Sequence, residues 1–148
     1  MKVDRLKPHY LTQFPEQLQE GILYISEEFS LTAHKCCCGC QEDVVLKLGP
    51  AKWHLTKEPD SSVSLYPSVG NWKYACRSHY WIENNEVLDA GPMSAGTIKR
   101  VQRRDRVERQ QYLEQYASAT EQEHQDGWKR ITYAIQRGWR RGKGLWGS

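Results

Sequence analysis

Residues 33–40, Ala-His-Lys-Cys-Cys-Cys-Gly-Cys, hold four of the chain's five cysteines and one of its five histidines. The fifth cysteine, Cys76, opens Cys-Arg-Ser-His-Tyr-Trp, with His79 three residues on. Thiolates and imidazoles together are the ligand set of Zn²⁺. Two local ligand groups separated by a few dozen residues are its usual layout, each on a turn that the fold brings to the other. Cys76-x-x-His79 has ordinary zinc-ligand spacing. The first group offers more ligands than one ion needs. In extended chain His34, Cys36, Cys38 and Cys40 share a face and Cys37 points away, so Cys37 is expected to pack and Cys36 stands in reserve as a ligand. Gly39 would let the backbone turn sharply between Cys38 and Cys40. Two other readings stay open: buried free thiols, which are common in cores, and a redox pair in Cys37-Cys38-Gly39-Cys40.

The elements that must position these side chains are short strands. Gly21–Ser26 (GILYIS) and Asp43–Leu48 (DVVLKL) are β-branched and apolar, the second closed by Gly49-Pro50. Lys52–Thr56 (KWHLT) and Ser62–Pro67 (SVSLYP) alternate around a turn in KEPDSS, and SHYWI and EVLDA flank Asn84-Asn85, a two-residue hairpin turn. Residues 20–90 therefore read as a small antiparallel β unit. Trp53, Trp72, Tyr74, Tyr80 and Trp81 are expected in its core rather than stacking on bases. After GPMSAGT the composition turns charged and Gln-rich. Apolar positions at Ile98, Val101, Tyr112, Leu113 and Tyr116 predict a helix over 97–116 with Thr97 as N-cap. Ser118 with Glu121, or Thr120 with Glu123, would cap a second over 120–137, its stripe formed by Trp128, Ile131 and Ile135. The fold class expected is α+β: a small antiparallel, zinc-binding β unit over 1–92, then one or two helices in an extension over 93–148 ending in a Gly-rich flexible tail.

With 21 Lys and Arg, 18 Asp and Glu and a net charge of +3, bulk charge selects no partner. The basic residues concentrate in the helical half, and a solvated helix face is the simpler reading than a nucleic-acid surface. No apolar run is long enough for a membrane span or a signal peptide. A cytoplasmic location with reduced thiols is expected, and an odd cysteine count fits poorly with a disulfide framework. No Gly-x-Ser-x-Gly elbow, Walker loop or dinucleotide fingerprint is present, which on sequence disfavours a serine hydrolase.

Leu-Tyr-Ile-Ser (23–26), Ala-His-Lys-Cys-Cys-Cys-Gly-Cys (33–40), Pro-Ser-Val-Gly-Asn-Trp (67–72) and Cys-Arg-Ser-His-Tyr (76–80) fall in one order. In this order they resemble a family of small bacterial metal-binding proteins, some encoded beside ubiquitin-like conjugation genes with E1- and E2-type enzymes. The resemblance covers about residues 20–90. It implies a place otherwise taken by a zinc-dependent isopeptidase, with a ubiquitin-like protein and its E1- and E2-type enzymes as partners. Carried over by position, the family pattern falls on Glu28, His34, Cys38, Cys40, Cys76 and His79. Gln41 stands where the family often has Gly, which touches a turn and not a ligand.

The activity expected from these readings is a zinc-dependent peptidase acting on a ubiquitin-like precursor or conjugate. Zinc would activate water, held by His34, Cys38, Cys40, Cys76 and His79 or a subset of them, and Glu28 would be the general base. Six extended residues span about 20 Å, so Glu28 would reach that metal only through a bend before His34. The alternatives are a non-catalytic zinc module that binds a ubiquitin-like protein or its conjugating enzyme and, third, a nucleic-acid-binding protein.

Overall fold

The computed structural model describes the backbone of residues 1–142 and the side chains of 1–122 and 126. It divides into two compact units, 1–106 and 107–148. The first holds two four-stranded sheets. One orders β1 (Lys7–Tyr10), β2 (Ile22–Ser26), β3 (Leu31–Lys35) and β4 (Asp43–Lys47). The other orders β5 (His54–Lys57), β6 (Val63–Gly70), β7 (His79–Glu83) and β8 (Glu86–Asp89). Every neighbouring pair is antiparallel except β1 with β2. The expectation of mainly antiparallel strands followed by helix agrees with this, but β1 and β3 were not anticipated. β1, Lys-Pro-His-Tyr, has no apolar alternation, and its proline is tolerated because the strand is an edge.

The sheets share one core. Leu23, Ile25, Val44 and Leu46 come from the first and Val63, Leu65, Val69, Tyr80, Ile82 and Val87 from the second, joined by Cys36 and Cys37 from just after β3. Residues 2–6 tie the sheets together. The Lys2 and Val3 amides donate to the Cys37 carbonyl, the Leu6 amide donates to Asn85, and the Val87 amide donates to Asp4. Asn84 and Asn85 both lie in the left-handed region, φ 50° and 68°, as a type I′ hairpin turn demands. Trp53, Trp72, Tyr74 and Trp81, expected in the core, are only partly buried, whereas Tyr80 is fully enclosed.

The helical half is a single helix, α1, over Ala95–Gly142, within the one or two helices expected; the break expected between 116 and 120 is absent. Ser118 and Thr120 do not cap a new helix. Their hydroxyls donate back to the carbonyls of Gln115 and Tyr116 at 2.9 and 2.8 Å, and no proline or glycine interrupts the run between them. The N-cap is Ser94 rather than Thr97. Its hydroxyl accepts from the Thr97 amide at 3.2 Å, and its carbonyl accepts the first helical bond, from Ile98. Leu113 and Tyr116 are exposed. The expected stripe of Trp128, Ile131 and Ile135, and the tail, lie outside the described residues. No helix among the described residues is long and apolar enough to cross a membrane.

Candidate functional site

The cysteines gather at the start of the β3–β4 connection. Beyond Lys35 the chain turns through Cys37–Cys40, with Gly39 at φ 90°. A Cβ at Gly39 would stand 2.4 Å from the Lys2 side chain, so glycine serves both the turn and the close approach of the N-terminal segment. Gln41, at φ 68°, occupies a conformation that glycine adopts without strain, which accounts for the glycine frequent there in the resembling family. The turn places the sulfurs of Cys36, Cys38 and Cys40 beside that of Cys76, all four within 4.8 Å of one another. Cys36 Sγ lies 3.4 Å from Cys38 Sγ and 4.0 Å from Cys76 Sγ. Four sulfurs around one tetrahedral ion, each about 2.3 Å from it, would sit roughly 3.8 Å apart. The group therefore could hold a metal ion. Burial pushes the Cys38 thiol up to about 12 and raises Cys40 as well. Burial also opposes ionisation of Cys76, but the Ser78 amide and hydroxyl and the neighbouring thiols outweigh it and bring Cys76 down to about 7.

Of the expected ligands, Cys38, Cys40 and Cys76 are brought together, joined by Cys36. His34 and His79 are not. His34, fully buried on β3, meets the Tyr80 hydroxyl through Nε2 at 2.8 Å, and burial lowers its pKa to about 4, which keeps it neutral. Cys37 is buried outside the thiol group, and burial raises it to about 12. Glu28 is exposed in the turn between β2 and β3.

His79 opens β7 and faces Ser68 on β6. Its Nε2 lies 2.9 Å from Ser68 Oγ and its Nδ1 3.2 Å from the Gly91 carbonyl. A carbonyl only accepts, so in the neutral ring Nδ1 carries the proton and Nε2 presents a lone pair to the serine O–H. That is the tautomer a general base needs. A register shift between β6 and β7 aims the serine: Leu65 pairs with Ile82 but Val69 pairs with Tyr80, so β6 spends four steps where β7 spends two. Ser68 sits in that bulge, where a strand is freed from its ladder to re-aim a side chain. A cis peptide bond joins Tyr66 and Pro67 just ahead of it. Trp72 lies against the imidazole, centroids 5.1 Å apart. Gly70 makes room for it, since a Cβ there would stand 2.4 Å from the indole.

Asn71 links the two groups. Its buried side-chain amide donates to Ser78 Oγ at 2.9 Å, Cys36 Sγ at 3.3 Å and Tyr80 Oη at 3.4 Å, and its backbone amide donates to the Ser78 carbonyl. The loop after the serine is thereby held to the segment that carries both Cys76 and His79.

A serine whose hydroxyl faces a correctly protonated, oriented histidine is how serine hydrolases prepare a nucleophile. The family model described as bacterial ubiquitination-like system serine protease (BubE) matches residues 10–89, more than half of the chain, and the chain belongs to that family. No curated protein and no solved structure matches it.

Membership supports a protease role in a bacterial ubiquitination-like system and overturns the zinc-dependent peptidase expected from the cysteine clusters. The base role expected of Glu28 belonged to that metal-centred chemistry and goes with it. Sequence reasoning placed Ser68, with Ser64 and Ser78, near the second cluster but gave it no role, although it lies inside Pro67-Ser68-Val69-Gly70-Asn71-Trp72. The missing elbow motif was the wrong criterion, because that motif belongs to one fold, whereas the serine–histidine geometry recurs on unrelated ones.

Proposed function

We propose that the protein is a serine protease that cleaves at the C-terminal tail of a ubiquitin-like protein, with Ser68 as nucleophile and His79 as general base. Ser68 Oγ attacks the carbonyl while His79 Nε2 takes its proton. The imidazolium then protonates the leaving amine, and a tail–Ser68 ester remains. Water, deprotonated by the same Nε2, hydrolyses the ester and restores the serine. The Gly91 carbonyl holds the ring through both steps. The observation that carries the reading is the pair of contacts on His79, which fixes its tautomer and aims the lone pair at the serine.

We assign Cys36, Cys38, Cys40 and Cys76 to one structural zinc ion. Four thiolate ligands fill a tetrahedral site and leave it no open position, so it stabilises folding rather than activating water. When bound, the ion supplies a crosslink between the β3–β4 turn and the segment that carries His79.

A fluorophosphonate probe with subsequent peptide mapping tests the nucleophile. The expected result is a single adduct on Ser68, no adduct in Ser68→Ala, and labelling at least ~100-fold slower in His79→Ala. A wild-type protein that cleaves a ubiquitin-like fusion while Ser68→Ala cleaves it equally well refutes the assignment.

A further inference from the structure

The outer face of the second sheet carries more than Ser68 and His79. Across the bulge Ser68 meets His79 and Tyr66 meets Trp81, and alternation along β7 puts Trp81 then Glu83 beyond His79. Tyr66 and Trp81 stack across the strands, centroids 6.1 Å apart and planes 27° from parallel. They wall a cleft of about 240 Å³ whose other lining includes Thr56, Ser64 and Glu83, and among the described residues no lysine or arginine lines it. Tyr66 is 65% exposed, so most of its surface is open to a ligand. Among the described residues Glu83 has no ion-pair partner.

Resting on the serine-protease reading, we infer that this cleft is a substrate subsite for a cationic side chain, arginine or lysine, in the tail that precedes the scissile bond. Three observations converge on this. Stacked aromatic rings attract a guanidinium or ammonium over their faces. An unpaired carboxylate at the far end supplies the counter-charge. The volume is below the roughly 300 Å³ at which small-molecule pockets begin, and suits one long side chain. Position fixes which substrate residue enters. Along the regular strand β7, Trp81 is two residues from His79, roughly 7 Å, and Glu83 four residues, roughly 13 Å. An extended substrate advances about 3.4 Å per residue, so the cation lies two to four residues ahead of the cleaved bond. The preceding tail is the constant part of every precursor and conjugate, whereas the group on the far side of the bond varies, so a subsite that reads the tail serves all of them.

Decapeptides joined to a fluorogenic amine, with Arg, Lys, Leu, Ala or Glu at the second, third and fourth positions before the bond, test this. Cleavage is measured with the wild type and binding with Ser68→Ala. Arg and Lys at one of these positions should raise kcat/KM and affinity roughly tenfold over Ala, more than Leu does. Glu83→Gln should collapse the Arg-to-Ala ratio towards one, and Glu83→Lys should reverse it in favour of Glu. Cleavage without preference at all three positions, a preference for Leu over Arg, or an Arg preference intact in Glu83→Gln each overturns the subsite. Arg-selective binding without any cleavage by the wild type upholds the subsite and removes the protease reading instead.

Discussion

Gly70→Ala is a one-methyl change whose effect is set by the packing. Gly70 is not in the left-handed region, so backbone strain is not at issue. The added Cβ would lie 2.4 Å from two indole carbons of Trp72 and 2.5 Å from its nitrogen. Carbon contacts are comfortable at about 3.5 Å, so the indole must withdraw by roughly 1 Å. The indole also lies against His79, 5.1 Å away between centroids, and His79 is held at both ring nitrogens. Overpacking of this kind costs about 1–3 kcal/mol, a fall in Tm of roughly 4–12 °C. A displacement of about 1 Å carried to the imidazole costs about 100-fold in rate. Thermal unfolding and the rate of Ser68 labelling by a fluorophosphonate measure the two effects. In Trp72→Ala the clashing ring is gone, so Gly70→Ala made in that background should recover at least half of both losses, a coupling in stability of at least about 0.5–1.5 kcal/mol. Gly70→Ala within 0.5 kcal/mol of wild type, or equally harmful in both backgrounds, refutes the reasoning.

Elemental analysis of protein purified without added metal should find one zinc per chain, and Cys36→Ala should lose it together with thermal stability; a wild type that is metal-free and equally stable removes the site. Tyr80→Phe strips a buried hydroxyl from His34 Nε2 and the Asn71 amide and should cost about 1–3 kcal/mol in urea unfolding. His34, depressed to about 4 by burial, gains its proton first in the unfolded chain, whose histidine titrates near 6.5. Its contribution is therefore complete above pH 6.5 and is lost as pH falls towards 4, by up to about 3 kcal/mol, read as the difference between wild type and His34→Gln so that metal loss common to both cancels.

The strands that carry apolar alternation were legible, and so was the Asn84-Asn85 turn, because period and turn chemistry are local properties. β1 was not, since it is held by pairing with β2 and not by its own pattern. The continuous helix was misread because a serine or threonine that caps a helix and one that bonds back to the preceding turn look alike in sequence; only the local backbone distinguishes them. The thiol group was legible as a cluster and not as a set. His34 shares the parity of Cys36, and the Tyr80 hydroxyl that engages it comes from 46 residues away. Ser68 and His79 face each other through a bulge, and a bulge is a shift of pairing that no single-strand pattern records. Gly91 was invisible because its contribution comes from the backbone.

The partner that orients His79 is that same backbone carbonyl. It has no codon of its own. No side-chain replacement at position 91 removes the carbonyl itself; substitutions reach it only through the turn, by forcing a side chain into the φ of 74° that Gly91 adopts or by removing what holds that turn. Its weak point lies one step back, in the Asp89 carboxylate that receives the Gly91 amide at 2.9 Å and sets the turn. In a population of sequences the third member would be inherited as a shape, kept by whatever residues hold that turn.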